Sequence, residues 1–432
     1  MSSKVFRRFD PGQTFLLPVD PREWLDDDHL AYFVEETVGE MDLSAFLAPY
    51  EEELRGYPPY HPCMMVRVVL YGHAMGVRSS RKLEQACWED VAFRMLSANQ
   101  QPDHNTFAQF LKRHRDALRG LFVQVLVVGR RVGVGRVETL VVDGTKIRAN
   151  AAYKETRKVK DLRREEDALG RAVDAWFEEV ERTDEEEDRR FGNHNPYLRL
   201  PPELADKKVR REKIREALKE VRKEIEDSRT APTKASGEPA PSRDEDSWLN
   251  LTDPDSRRMR EMFHRHPHGI PVQAYNCQLG VDARSGLIVA ADVVQEGNDS
   301  HQLVPMTLLA TQNLGEAPDE VVADPGYYAD AEIQRVPPET YAYVLPPRLR
   351  PSRTDASQRR QEMSDRVRHT KRGREVYDLR KETVEPTFGH IKHNRGFRQF
   401  LRRGIQNVRF EWSLVCTGTN LFKLWRLARP AG

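Results

Sequence analysis

The sequence predicts an α/β protein with a helical N-terminal region and a helical hairpin inserted between its first two strands. Three observations lead to this prediction. Apolar residues recur at helical spacing through residues 61–128. Short apolar stretches typical of strands occur at Val137–Asp143 and again after residue 270. A highly charged stretch of about 100 residues with helical periodicity separates them.

Size and composition restrict the class of protein. A chain of 432 residues can hold more than one domain. No apolar stretch approaches the ~20 residues of a membrane helix, and the N-terminus lacks an apolar signal core. The four cysteines are far apart and form no C-x-x-C motif, which argues against a zinc ribbon or a disulfide framework. We therefore expect no membrane association and a reducing cytoplasmic location.

The net charge of +1 conceals an uneven distribution. Residues 348–432 contain 21 Lys and Arg against 8 Asp and Glu, whereas the first 347 residues contain 48 basic and 60 acidic residues. A basic C-terminal region beside an acidic remainder suggests a polyanionic partner, although a solvated arginine-rich surface would give the same counts.

The N-terminal region, residues 1–128, is predicted to be a helical domain. One helix is expected at His29–Gly39, after three aspartates that suit a helix N-terminus. Three further helices are expected to begin at Pro62, at Ser79 or Ser80, and at Asp103. The basic stretch Lys112–Arg115 in the last of these would suit a helix-turn-helix, a pattern that simple packing modules share.

The predicted α/β domain consists of two separate segments. The first core strand, Val137–Asp143, lies in residues 137–152, and the remainder of the domain occupies residues 251–432. Its further strands are predicted at Val272–Val281, Leu287–Val294, Glu320–Asp324 and Tyr341–Leu345.

Residues 153–250 are predicted to form a charged insert without chemistry of its own. Two helices at about residues 158–182 and 203–227 would pack as an antiparallel hairpin. An acidic stretch, Thr183–Asp188, would separate them, and a Pro/Ser linker, Thr230–Ser242, would follow. Dimerisation and DNA contact are possible roles of this hairpin.

Two predicted strands end in carboxylates, Asp143 and Asp324, and each is followed within two residues by a glycine. Two aspartates on neighbouring strands raise each other's pKa unless a cation lies between them. The glycine would let a backbone or phosphate approach closely. With one more carboxylate, the pair could hold two Mg²⁺ ions of the kind that cut phosphodiesters.

The third carboxylate is predicted near Pro386, where a helix would begin or be kinked. Glu385 and Glu382 are both candidates, because three residues separate them and they could share a helical face. Basic residues interleaved with phenylalanines follow at spacings suited to a phosphate backbone. These predicted DNA-binding residues are Lys392, Arg395, Arg398, Arg402 and Arg403.

Three motifs give the sequence a family resemblance. V-V-D-G-T around Asp143, V-V-A-D-P-G-Y around Asp324 and V-E-P-T-F-G-H-I-K around Glu385 resemble the signatures of bacterial insertion-sequence DDE transposases. The group it resembles has a helical N-terminal transposase domain and a coiled-coil insert between the first two core strands. The resemblance implies an RNase H-like core with a mixed five-stranded sheet flanked by helices.

The resemblance also implies a site and an activity. Asp143, Asp324 and Glu385 would form the catalytic, metal-binding triad, with Mg²⁺ as cofactor and Mn²⁺ as a possible substitute. Tyr377 and Arg380 would match the Tyr and Arg that precede the Glu and contact DNA, although the family's Arg usually stands four residues before it, where this chain has Lys381. Lys392 would match the Lys seven residues after the Glu.

The implied activity is cleavage at transposon ends followed by joining of the 3′-OH to target DNA. The implied partners are double-stranded DNA, both terminal inverted repeats and target, and a second copy of the chain in a homodimer. The implied location is the bacterial nucleoid. The alternatives are a catalytically silent DNA-binding derivative and an RNase H-fold nuclease that is not tied to transposition.

Two further features of the sequence each allow two interpretations. His264, His266 and His268 alternate, but Pro267 and Gly269 favour a loop over a zinc site. Asp299 is either an acid that supports the site or a turn former, and the sequence favours the turn.

Overall fold

The structure, a computed structural model, describes residues 20–51, 58–191, 202–230, 244–263, 266–347 and 355–429. The chain divides into two compact units, residues 1–132 with 417–432, and residues 133–416. None of the helices in the described ranges has the length and apolar character that spanning a membrane requires.

Helices make up the N-terminal part of the first unit. They are α1 (Leu30–Gly39), α2 (Ser44–Glu51), α3 (Pro62–Met75), α4 (Ser80–Glu89), α5 (Val91–Leu96), α6 (His104–Arg113) and α7 (Arg115–Arg131). Pro62 occupies the first turn of α3, and the side chains of Ser79 and Asp103 accept hydrogen bonds from the first turns of α4 and α6. These three helix starts agree with the sequence prediction.

Two predicted helices are each divided in the structure. Asp90 ends α4 with extended backbone and then caps α5, because its side chain accepts hydrogen bonds from the amides of Ala92 and Phe93. His114 separates α6 from α7 in a non-helical conformation, and its buried ring packs against Phe110 at 4.7 Å. Apolar periodicity continues across both breaks, so it gave no sign of them.

The second unit is built on a six-stranded mixed sheet and a two-stranded sheet. The strands are β1 (Thr139–Arg148), β2 (Thr156–Lys158), β3 (Trp248–Asn250), β4 (Arg257–Phe263), β5 (His266–Asp282), β6 (Ile288–Val294), β7 (Glu320–Ala323) and β8 (Tyr341–Val344). The main sheet has the order β4-β5-β1-β7-β8, and β6 also pairs with β5. β1 runs antiparallel to β5 and parallel to β7, which itself runs parallel to β8.

The sheet has one strand more than the five predicted. Ala274 of β5 pairs with Arg148 on one edge and Arg257 on the other, while Asn276 pairs with Lys146 and Val294. β4 and β6 therefore follow one another along the same edge of β5. The sequence prediction missed β4 because its three arginines mask the alternation of a strand. The predicted loop around the histidines is wrong from His266 on, where β5 begins; residues 264–265 and the side chains of His266 and His268 lie outside the described residues.

β1 is longer than the sequence predicted. Its antiparallel pairing with β5 continues to Arg148, whereas its parallel pairing with β7 stops at Val142. Asp143 therefore lies in the middle of β1 and does not end a strand. Beyond Val142, one edge of β1 is no longer paired with β7.

The helices of this unit are α8 (Val159–Phe191), α9 (Pro202–Thr230), α10 (Leu303–Leu314), α11 (Asp330–Ile333), α12 (Asp355–His369), α13 (Lys371–Gly389) and the first part of α14 (Ile405–Ala428). Val159 and Leu162 near the start of α8 are buried with Leu218 and Val221 in the second half of α9, so these helices run in opposite directions. α8 continues through Thr183–Asp188, which were predicted to lie between helices. The linker predicted after Thr230 falls largely outside the described residues.

α13 does not begin at Pro386. It starts at Lys371, where Thr370 caps it, and continues through Pro386 to Gly389, followed by a π-helical turn at His390–Asn394. The proline leaves the carbonyl of Glu382 without its helical partner, a loss that an otherwise well-packed helix can tolerate. Val376 and Val384, both fully buried, anchor this helix in the unit's core.

Replacing Gly418 with alanine is expected to destabilise the first unit by roughly 1–3 kcal/mol, the usual range for overpacking. A Cβ at Gly418 would lie 2.6 Å from the backbone nitrogen of Ala74 in α3, and backbone cannot move aside cheaply. Gly120→Ala in α7 is the matched control, because its Cβ would have nothing within 4 Å. Hydrogen exchange of α3 amides in a urea series measures the effect. Equal stability of the two variants would contradict the close approach.

Candidate active site

Asp143 and Asp324 occupy adjacent positions on neighbouring strands. Val142 and Ala323 form the last parallel pair of β1 and β7. Asp143 directly follows Val142, and Asp324 directly follows Ala323. Neighbouring strands lie about 4.8 Å apart, so the backbones of the two aspartates lie side by side. β7 ends there because Pro325 has no amide hydrogen and begins a 3-10 turn, Pro325–Tyr327.

Arg380 of α13 is the cation between these aspartates. Its guanidinium forms an ion pair with Asp324, and its positive charge acts to lower the pKa of Asp143. The side chain of Arg380 is only 13% exposed, against 43% for Asp324, and the ring of Tyr377 lies 5.2 Å from its guanidinium. Arg380 stands four residues from Val376 and from Val384, so it shares the buried face of the helix. Arg380 therefore lies on the face of α13 that packs against the sheet, five residues before Glu385.

Glu385 projects from a different side of α13. Five residues at 3.6 per turn place it about 140° around the helix from Arg380, and its side chain is exposed. Its negative charge nevertheless acts to raise the pKa of Asp143. Glu382, the alternative third carboxylate, is also exposed.

Burial raises the pKa of Asp143 from 3.8 to about 6. A hydrogen bond from the Gly144 amide at 2.8 Å and the charge of Arg380 oppose this shift, while the charges of Asp299 and Glu385 add to it. The position therefore favours a nearby positive charge, which would compensate the cost of ionising Asp143.

A polar cluster that the sequence did not reveal lies beside Gly144. The carboxylate of Asp299 accepts hydrogen bonds from Asn276 Nδ2 at 2.7 Å and Gln278 Nε2 at 2.8 Å, and lies 3.5 Å from Lys146 Nζ. The hydroxyl of Tyr327 donates to Gln278 Oε1, which ties the turn after Asp324 to the same cluster.

This cluster corrects two expectations. Asp299 does accept a backbone bond from Gln302, as a turn former would, but its side chain also organises buried amides next to β1. A Cβ at Gly144 would lie 2.5 Å from Gln278 Nε2, so this glycine makes room for protein side chains rather than for a phosphate. The signal in the sequence was N-C-Q, two amides on one face of an otherwise apolar strand.

The five basic residues predicted to follow a phosphate backbone do not share one surface. Lys392 Nζ donates to Thr145 Oγ1 and, at 3.2 Å, to the carbonyl of Lys146 on β1. Burial lowers the pKa of Arg395 to about 10 and also lowers that of Arg402, which packs 5.0 Å from the ring of Phe410. Arg398 and Arg403 are exposed.

The donor chemistry of the site fits a hard divalent cation. Asp143, Asp324 and Glu385 offer only carboxylate oxygens, which Mg²⁺ and Mn²⁺ prefer. Within the described ranges, no three His, Cys, Asp or Glu side chains are already gathered as ligands of one ion. Asp324 is instead paired with Arg380, so ion binding requires this arginine to turn away.

Comparisons with known proteins give two domain matches. Residues 19–113 match a transposase domain (DUF772), and residues 348–425 match a transposase DDE domain. The second match contains Glu385, Tyr377, Arg380 and Lys392, while Asp143 and Asp324 lie outside both. No curated protein and no solved structure matches the chain.

Proposed function

Because this chain belongs to the insertion-sequence DDE transposases, we propose that Asp143, Asp324 and Glu385 are the carboxylates with which it cuts transposon ends and joins them to target DNA. The observation that carries the assignment is the register of β1 and β7, which brings Asp143 and Asp324 side by side. α13 adds Glu385, whose negative charge acts to raise the pKa of Asp143.

Transposases of this type use divalent metal ions, and we assign Mg²⁺, with Mn²⁺ as a substitute, to these carboxylates. When bound, the ions supply charge stabilisation for the attacking and leaving oxygens. Burial favours the protonated form of Asp143, and Asp143 supports metal binding by releasing that proton. Asp324 supports it by releasing Arg380, whose guanidinium can then take a phosphate oxygen of the DNA. Tyr377 keeps the arginine oriented by packing on it.

The reaction proceeds in two displacements. A water oxygen attacks the phosphorus at the transposon end, the bond from phosphorus to the 3′ oxygen breaks, and the DNA keeps a free 3′-OH. That 3′-OH then loses its proton as its oxygen attacks a phosphorus of the target strand, and the target's own 3′ oxygen is displaced and takes up one proton in exchange. Lys392, whose Nζ donates to the Thr145 hydroxyl two residues along β1 from Asp143, holds a phosphate in place and transfers no proton.

The remaining assignments concern the whole molecule. We assign DNA binding to residues 1–128 as well as to the basic residues that follow Glu385, and no chemistry to the charged insert, residues 153–250. A homodimer would bring two transposon ends together. The working location would be the bacterial cytoplasm, on nucleoid DNA.

The test is a strand-transfer assay on DNA that carries the element's terminal inverted repeats, with a plasmid as target. We expect cleavage and joining with Mg²⁺ or Mn²⁺, and neither with EDTA. A catalytically silent derivative would bind the ends but would not cut them with either ion. A nuclease unrelated to transposition would cut repeat-free DNA equally well. Either of the last two results would replace the proposal.

A further inference from the structure

Beyond Val142, the edge of β1 that faced β7 is contacted by residues that follow α13. Lys392 reaches the carbonyl of Lys146 on this edge. Two residues further on, the amide of Arg148 donates to the carbonyl of Arg398 at 3.2 Å, and the amide of Phe400 donates to the carbonyl of Arg148 at 2.9 Å. The segment after the π-helical turn thus takes the place beside β1 that β7 has given up.

A groove opens where this edge ends. It encloses a volume of about 480 Å³, and its walls include Arg148, Tyr153, Ile270, Pro271 and Gln399. Tyr153 is 55% exposed and Ile270 is 40% exposed, so the groove presents an aromatic ring and an aliphatic side chain to solvent. Arg148 and Gln399 are exposed as well.

Charge and shape indicate the occupant. None of the described residues that line the groove is acidic. Arg403, which is exposed, lies beside the groove, because its Nε donates to the carbonyl of Asn150 at 2.8 Å. The backbone of Arg398 pairs with Arg148, while its guanidinium donates to His393 Nδ1 at 2.8 Å on the π-helical turn. Arginines around an exposed tyrosine are what a nucleic-acid strand requires, because cations hold phosphates and an aromatic ring packs on sugar or base.

We propose that this groove, defined by Arg148, Tyr153, Ile270 and Gln399, binds the DNA strand that is being cut, about five nucleotides from the scissile phosphate. The spacing comes from the strand itself. Arg148 is five residues beyond Asp143, or ~17 Å at about 3.3 Å per residue, and a DNA strand advances about 3.4 Å per nucleotide. Arg148 lies on the same strand as Asp143, which makes the DNA strand in the site the natural occupant. This inference rests on the proposed function of Asp143.

The experiment compares Tyr153→Ala with Tyr341→Ala in the full-length protein. Tyr341 is the matched control, since it is 63% exposed and lies on β8, away from the groove. The probes are inverted-repeat duplexes that extend either about three or about twelve base pairs past the cut, in each direction, so that only the longer ones reach the groove. Binding is measured by fluorescence anisotropy in EDTA, and contacts are mapped by hydroxyl-radical footprinting.

We expect Tyr153→Ala to bind the longer duplex about tenfold more weakly, in line with the loss of one stacked base, and the short duplex as the wild type does. Footprint protection about five nucleotides from the cut should disappear with it. Tyr341→Ala should behave like the wild type on both.

Equal binding of both duplexes by Tyr153→Ala and wild type would overturn this proposal, as would a wild-type footprint without protection about five nucleotides from the cut. Failure of the proposed function looks different, because the wild type would then cut neither duplex when Mg²⁺ is supplied.

Discussion

Asp324→Asn is expected to lower the rate of end cleavage by at least about 10³-fold, because loss of a metal-binding carboxylate removes several kcal/mol of transition-state stabilisation. Glu385→Gln should cause a loss of the same order. Both substitutions keep the shape of the side chain, and neither residue belongs to the buried core. The measurement is single-turnover cleavage of inverted-repeat DNA with Mg²⁺, alongside thermal unfolding to show that each variant is folded.

Glu382→Gln is the matched control for Glu385. Both residues are exposed on α13 and three positions apart, but only Glu385 acts on Asp143 in our assignment. We expect Glu382→Gln to keep its rate within about twofold, as surface substitutions generally do. If Glu382→Gln were inactive and Glu385→Gln active, the third ligand would be Glu382.

Asp143→Asn is expected to make the metal-free protein more stable at pH 7, by roughly 1–3 kcal/mol. The pKa of Asp143 is raised from 3.8 to about 6, chiefly by burial, so the folded state holds its proton more tightly than the unfolded state does. The wild type therefore loses stability as pH rises from about 4 to 6, and the whole cost of ionising Asp143 is present above that window. Asparagine cannot ionise and avoids this cost.

Urea unfolding in EDTA at pH 4, 5.5 and 7 measures this difference, which should be small at pH 4 and largest at pH 7. Asp246→Asn is a control of opposite sign in the same unit. Hydrogen bonds from Lys160 and Lys158 lower the pKa of Asp246, so its ionised form supports folding above its unfolded pKa and that support is lost as pH falls. Asp246→Asn should thus be the less stable protein at pH 7. If the difference in unfolding free energy between Asp143→Asn and wild type did not change with pH, the burial of Asp143 would be contradicted.

Local signals in the sequence predicted what depends on local chemistry. Ser79 and Asp103 cap helices where they were expected to, and the fold class and the family are confirmed. Asp143 and Asp324 were recognised because an aspartate that follows an apolar stretch and precedes glycine or proline is visible in one short window. The three-carboxylate site itself stays a prediction, since α13 is brought to β1 by tertiary packing.

Features that depend on distant parts of the chain were missed or mistaken. Whether Asp143 ends its strand is decided by β5, more than 120 residues away, which keeps pairing with β1 as far as Arg148. Asp299 looked like a turn former because its side-chain partners, Asn276 and Gln278, lie on β5, more than 20 residues earlier in the chain. The basic residues after Glu385 looked alike in sequence, but packing buries Arg395 and leaves Arg398 exposed.

The pairing of Arg380 with Asp324 couples two ligands that never need to touch. An ion that binds Asp324 frees the guanidinium for DNA, and DNA that engages the guanidinium frees Asp324 for an ion. By thermodynamic reciprocity, each ligand should tighten the other by the same factor. On this assignment, the bare protein would bind metal weakly, and the catalytic centre would assemble mainly when a DNA end is already in place.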